Sequence, residues 1–243
     1  MDKVLKDLAP TGKLRAAINL GNSVLAQKDD ASGQPKGITP DLARELGRRL
    51  SVPVELVTYD AAGKVFDAAS TGAWDIGFVA IEPVRAAMIE FSAPYVIIEG
   101  CYMVPKDSPL KANADVDRPG VRIAVGVGSA YDLYLTRTIK NATVTRASMG
   151  GGKAMIDMFV NDKLEAAAGV KQPLEAYAKD HPEVRMLGGH FMEIQQAMGT
   201  PKGRLAGAQY LRAFVEEMKA SGFVAEAIKR SNQTAAVAPP AAK

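Results

Sequence analysis

Two successive series of short apolar strands separated by helices run through this chain, and that alternation restricts its fold more than any other feature. Leu14-Arg15-Ala16-Ala17-Ile18-Asn19 reads as a first strand that leaves through Gly21 and Asn22 into a polar loop. Thr39-Pro40-Asp41 then opens a helix, with Thr39 as the expected N-cap, Pro40 in the first turn and Leu42, Leu46 and Leu50 on its core face. Val52-Pro53-Val54-Glu55-Leu56-Val57 follows as a second strand, and a helix around Gly63 to Ser70 delivers the chain to a third at Asp75–Val79. This β-α-β-α-β order predicts a mostly parallel sheet with helices on its faces.

Val96 to Val104 is apolar and rich in β-formers, and it ends at Pro105-Lys106-Asp107-Ser108-Pro109, where the chain is expected to leave a first lobe. A second alternation begins with the strand Val121–Val125 and the tight turn Gly126-Val127-Gly128-Ser129. Ser129 with Asp132 three residues on forms a partial capping box for a helix carrying Leu133, Leu135 and Ile139. Thr143-Val144-Thr145, a helix from about Lys153 to Asn161 and the small-residue strand Leu164 to Gly169 continue the series. Ala197-Met198-Gly199-Thr200-Pro201 reads as a return strand, and a last helix carries Leu211, Val215 and Met218 before Gly222. The expected organisation is a discontinuous lobe of residues 1–104 plus 198–230, a second lobe of residues 105–197, and an Ala/Pro-rich flexible tail at 231–243.

The charge balance, 30 basic against 27 acidic residues, is spread in both signs, so no basic stripe points to nucleic acid. The single cysteine, Cys101, excludes an internal disulfide framework and reads as a buried small hydrophobe. Two separated histidines argue against a histidine-rich metal site, and no motif calls for a cofactor. No apolar run reaches transmembrane length, and the start Met1-Asp2-Lys3-Val4-Leu5-Lys6-Asp7 lacks the apolar centre of a secretion signal. A native start at Met1 implies the cytoplasm, whereas a removed leader leaves an exported protein.

The run Trp74-Asp75-Ile76-Gly77-Phe78-Val79-Ala80-Ile81-Glu82-Pro83-Val84-Arg85, closing at Phe91-Ser92-Ala93-Pro94-Tyr95, carries the strongest chemical signal. A guanidinium sits just past the carboxyl end of a buried strand, where open α/β sheets bind their ligands. Arginine keeps its charge and presents a planar fork of donors, so in a cleft it suits a carboxylate or similar anion. The competing reading is an exposed ion pair with Glu82 or Glu90.

The order of elements and several local strings resemble the solute-binding proteins, family 3, of ABC importers for polar amino acids, a type II periplasmic binding fold. The strings are Gly12-Lys13-Leu14-Arg15-Ala16-Ala17, Gly37-Ile38-Thr39-Pro40-Asp41-Leu42-Ala43, Gly72-Ala73-Trp74-Asp75, Arg85 with Phe91–Tyr95, and Ile123-Ala124-Val125-Gly126-Val127-Gly128-Ser129. The resemblance covers roughly residues 11 to 230 and implies two α/β lobes, each a mostly parallel sheet flanked by helices, joined by two crossover strands. It implies a monomer in the periplasm that closes like a hinge on a small carboxylate or amino-acid-like solute and delivers it to an ABC permease. Arg85 then grips the carboxylate, and the helix start Ser129-Ala130-Tyr131 supplies backbone N–H groups and a favourable dipole.

The departures from that pattern are as informative. Phe78, Val79 and Ala80 stand where hydroxyl residues usually precede the arginine, and Val170 stands where an acid usually meets the ligand's ammonium, with no acid following until Glu175. An ammonium buried against Val170 beside Lys171 lacks a counter-charge, so the expected ligand is an anion without an amine or a less polar carboxylate. Asn19 and Asn22 are candidates at the edge of the first strand, with ordinary turn chemistry as the alternative. Phe78, Ala80 and Tyr131 are candidate walls, and Gln172, with Lys171, a candidate substitute for the missing acid. Two other classes compete with transport: a cytoplasmic ligand sensor or scavenger of the same fold, and a dehydratase-like enzyme. The enzyme is disfavoured because no nucleophile–histidine pair or phosphate-cradling motif is present, leaving Glu193 as the one acid to test.

Overall fold

In a computed structural model that describes residues 1–148 and 151–242, the chain starts with helix α1 (Asp2–Leu8) and strand β1 (Leu14–Asn19). A small hairpin of β2 (Gln27–Lys28) and β3 (Pro35–Lys36) precedes α2 (Ile38–Leu50), β4 (Val54–Tyr59), α3 (Ala62–Asp67), β5 (Ile76–Ala80) and the short α4 (Pro83–Ala86). The long strand β6 (Ile89–Pro105) is followed by β7 (Arg122–Gly126), α5 (Ala130–Thr138), β8 (Thr143–Ala147), α6 (Gly151–Asn161), β9 (Ala166–Val170), α7 (Lys171–Asp180) and β10 (Val184–Met186). Strand β11 (Met192–Pro201), α8 (Leu205–Ala220), α9 (Phe223–Arg230) and β12 (Ala236–Val237) complete the chain.

These elements form two compact units, Met1–Ile97 with Gln195–Lys243, and Ile98–Ile194. The divisions fall inside β6 and β11, earlier than the 104/105 and 197/198 boundaries expected from the proline-rich exit and the return strand. Strand pairing explains the difference for β6: Val96 and Ile97 pair with β12, whereas Gly100 to Met103 already pair with β9. The break is set by a change of partners within a continuous strand, which local composition does not mark.

In the first unit β1 lies between β4 and β5, parallel to both, and β11 runs antiparallel to β5. Trp74 is buried, as expected, with Val65, Val79 and Ile89, and its indole N–H donates to the Val65 carbonyl at 3.0 Å. Leu42, Leu46 and Leu50 of α2 are likewise buried. The expected Thr39 cap is not formed: the helix begins at Ile38 after Gly37, and the Thr39 hydroxyl donates to the Leu25 carbonyl. Gly37 has φ 118°, and a Cβ there would come within 2.8 Å of the Leu25 oxygen. That close approach of residues 25–26 to the helix start takes precedence over side-chain capping.

Asp75 ties this unit together. Its carboxylate is fully buried and accepts from the Arg15 backbone N–H at 3.1 Å, Arg15 Nε at 2.9 Å and Nη2 at 2.8 Å, and Arg204 Nη1 at 2.9 Å. Arg204 also donates to the Asp7 carbonyl, and the Asp7 carboxylate accepts from the Gly207 N–H. One acid therefore joins β1 and β5 to the ends of α1 and α8.

The second unit repeats the plan. Strand β7 lies parallel to β8 and β9, and β9 pairs antiparallel with β6. Its core gathers Cys101 and Met103 with Ala124, Met155, Phe159, Ala167 and Leu174. Cys101 is buried as expected, its thiol directed at the Gly189 carbonyl.

The segment 231–243, read from composition as a flexible tail, is docked over much of its length; Lys243 lies outside the described residues. Strand β12 pairs with Val96 and Ile97, the Ala238 N–H donates to the Tyr95 carbonyl, and Ala238 is buried. The Pro239 carbonyl accepts from Lys219, and the Ala241 N–H donates to Glu216. Docking through main-chain bonds needs no large side chain, so low apolar content says nothing against it. It also covers backbone groups that an edge strand leaves open.

Asp75→Ala should destabilise the protein by about 3 kcal/mol in urea unfolding, because two guanidiniums lose a buried partner. Asp75→Asn, which keeps part of the hydrogen bonding, should cost less, and equal losses would show that charge alone matters. Removal of residues 235–243 should accelerate amide exchange across 95–97 while leaving the centre of β1 protected; unchanged exchange would show that β12 does not cover that edge.

Candidate functional site

Strand β5 is buried along its whole length, and its last residue, Ala80, pairs with Gln196 of β11. The next residue, Ile81, donates its N–H to the Gln195 carbonyl, and Glu82 in an extended conformation caps α4 with Pro83 in its first turn. Proline sets the backbone angle that starts a helix, so the turn brings Arg85 back over the strand end. Arg85 has no solvent exposure, and its Nη1 donates to the Ala80 carbonyl at 3.0 Å. Burial pushes its pKa down to about 10, with the field of Glu82 acting upwards. It remains a cation at neutral pH.

The exposed ion-pair reading of Arg85 is thereby excluded. Glu82 is itself buried, and Glu90 is engaged by Lys202 at 3.1 Å and Arg212 at 3.5 Å.

The other candidates of the first unit sit at the same edge of its sheet. Asn19 ends β1, the parallel neighbour of β5, and its Oδ1 accepts from the Gly21 N–H at 2.9 Å. Asn22 accepts from the Val24 N–H at 3.2 Å. Both therefore do the turn chemistry that was their alternative reading, with their amide NH2 groups outside those turns. Gly21 is required between them, since a Cβ would meet the Asp60 carbonyl oxygen at 2.2 Å. Phe78 is buried edge-on to Tyr95, with ring centroids 6.0 Å apart, so it packs in the core rather than lining a solvent-open wall. The Ala80 carbonyl accepts from Arg85.

In the second unit the turn after β7 leads directly into α5. Ser129 is its N-cap and accepts from the Asp132 N–H at 3.1 Å. Asp132 reaches back to the Gly128 N–H at 2.8 Å, one residue short of the expected capping box, and also receives Arg146 Nε at 2.9 Å. Ala130 and Tyr131 occupy the first turn, where N–H groups have no partner within the helix. Tyr131 is buried, which pushes its phenol up to about 12 against the opposing effect of Ser129.

Val170 ends β9, pairs in register with Gly100 of β6, and is the N-cap residue of α7. Gln172 lies in the first turn of that helix. The neighbouring Lys171 places its Nζ 2.7 Å from Glu99 Oε2. His190 Nδ1 lies 3.0 Å from the other Glu99 oxygen. Glu99 and His190 were not singled out from the sequence. The available signal was a lone carboxylate within the apolar strand Val96-Ile97-Ile98-Glu99-Gly100-Cys101.

Among the described residues no three His, Cys, Asp or Glu side chains are grouped to hold a metal, and no helix is long and apolar enough to cross a membrane.

Solved structures with the same architecture include the solute receptor for L-cysteine of Neisseria gonorrhoeae, at TM-score 0.80 and 20% identity over 94% of this chain and 93% of that one. The amino acid ABC transporter substrate-binding protein AbpA of Streptococcus pneumoniae, bound to L-arginine, aligns at TM-score 0.77 and 17% identity over 92% and 96%. An ancestral amino-acid-binding protein described as a precursor of cyclohexadienyl dehydratase aligns at TM-score 0.76 and 23% identity over 93% and 98%. At these identities the likenesses establish the fold, the type II periplasmic binding architecture with an α/β sheet in each unit. No curated protein matches the sequence. The family comparison extends further than the local strings, since it matches residues 14–233 as a single stretch, and the chain belongs to the bacterial extracellular solute-binding proteins, family 3.

Proposed function

We propose that the protein is the solute-binding component of an ABC importer and takes a small carboxylate that carries no α-ammonium. The observation that supports this reading is the burial of Arg85 at the carboxyl end of β5. Its depressed pKa means that burial disfavours the cation more than Glu82 favours it. A ligand carboxylate reverses that balance, and a guanidinium offers it two parallel N–H donors. The start of α5 at Ser129, Ala130 and Tyr131 is the second contact implied by family membership, and its backbone N–H groups suit an anion.

The absence of an ammonium partner rests on Val170, whose side chain offers nothing to a cation. Asn19 and Asn22, through their amide nitrogens, and Gln172 are secondary polar contacts. Family neighbours bind arginine, lysine, cysteine or glutamine, as their descriptions state. The proposal departs from them in the ammonium, not in the carboxylate.

A thermal-shift screen of keto, hydroxy, aromatic and aliphatic acids beside the corresponding amino acids tests this directly. A ligand at one hundred times its Kd stabilises the folded state by about 2.7 kcal/mol, which is readily detected. Response to amino acids alone would overturn the ammonium-free assignment, and silence from every carboxylate would overturn the ligand class. Arg85→Met, which fills much of the buried volume, should weaken binding of any responding acid about a hundredfold or more while leaving the far-ultraviolet spectrum unchanged. Retained affinity would remove Arg85 from the site.

A further inference from the structure

Strand β6 carries two ladders in succession along one edge. Its register pairs with β12 end at Ile97, those with β9 begin at Gly100, and the division between the two units falls at 97/98. The Ala238 N–H donates to the Tyr95 carbonyl, whereas the carbonyls of Gly100 and Tyr102 accept from the N–H groups of Phe191 and Leu187. Backbone groups alternate in direction along a strand, so Tyr95 and Ile97 direct theirs to the same side as Cys101 and Met103. β12 and β9 share that side, and Ile98 and Glu99 belong to neither of these two ladders.

The far end of the C-terminal segment is fastened to α8. The Lys219 side chain is only 4% exposed; its ammonium stands 2.7 Å from Glu216 Oε1 and donates to the Pro239 carbonyl at 2.8 Å. A buried ammonium needs its partners, so docking of Pro239 and burial of Lys219 depend on each other. The Ala241 N–H donates to the other Glu216 oxygen at 3.2 Å. The segment thus runs from the end of α9 across β6 to α8, whose start Arg204 ties to Asp75. Ala236 and Val237 are themselves exposed, so main-chain bonds hold the crossing.

We infer that residues 236–241 are a splint on β6: they fasten the strand to α8 as far as Ile97 and confine its bending to Ile98 and Glu99. Hinges are a few residues that absorb a change of backbone angles. A stretch flanked by two ladders lets β6 bend with the least loss of pairing. Without the splint the free stretch lengthens to 95–99, and the bend spreads over it.

Backbone amide relaxation dispersion, which reads microsecond-to-millisecond exchange, tests the splint at 95–103. Exchange broadening should be confined to Ile98 and Glu99 in the native protein. It should spread to 95–97 in a chain ending at Thr234, with 100–103 unchanged. Ala238→Pro removes one donor without shortening the chain and should give the same spread to a smaller extent. Lys219→Met frees the far anchor while leaving β12 its main-chain bonds, and it too should broaden 95–97. Native broadening centred outside 98–99, its absence from both residues, or quiet 95–97 amides after truncation overturns the inference. Spread on truncation but not in Lys219→Met also overturns it, because the segment then only covers the edge.

Discussion

A carboxylate with no solvent exposure, held by two guanidiniums, fixes the frame of the first unit. Asp75 receives Arg15 through both its backbone and its side chain, and it returns its own N–H to the Arg15 carbonyl. This reciprocal bonding locks β1 beside β5 in the register that pairs Ala16 with Ile76. Arg204 brings the start of α8 to the same acid, and α1 follows through Asp7. The cluster lies at the amino end of β5, so the strand leaves it in a fixed direction. Asn19, Ala80 and Arg85 at the opposite end inherit their positions from that anchoring. A buried acid is costly to desolvate, and four donors on its two oxygens make the arrangement tenable.

Arg15 and Arg85 show how surroundings, not residue type, assign a role. Arg15 has a full complement of carboxylate bonds and reaches solvent over 18% of its side chain. Its hydrogen bonds to Asp75 outweigh its partial desolvation, so its pKa is raised. Arg85 sits deeper, donates to a neutral carbonyl and is shifted the other way. An arginine stabilised by its own protein gains little from an added anion, whereas one destabilised by burial gains a great deal. That burial is the ground on which we propose Arg85 as the anion-binding group.

Features governed by local periodicity were legible in the sequence. Leu42, Leu46 and Leu50 face the core of α2, Trp74 is buried, and Ser129 caps α5. Features governed by distant partners were not. Glu99 and Lys171 stand 72 residues apart, and Asp75 and Arg204 stand 129 apart, so neither pair leaves a trace in spacing. The docking of β12 is main-chain pairing between residues of no distinctive composition, which explains why 231–243 reads as a tail. The Thr39 cap was displaced by packing of residues 25–26, another contact invisible to a helix-start motif. At the candidate site, the strand-end position of Arg85 followed from local order. Its burial, and the packing of Phe78 against Tyr95, depended on the assembled sheet.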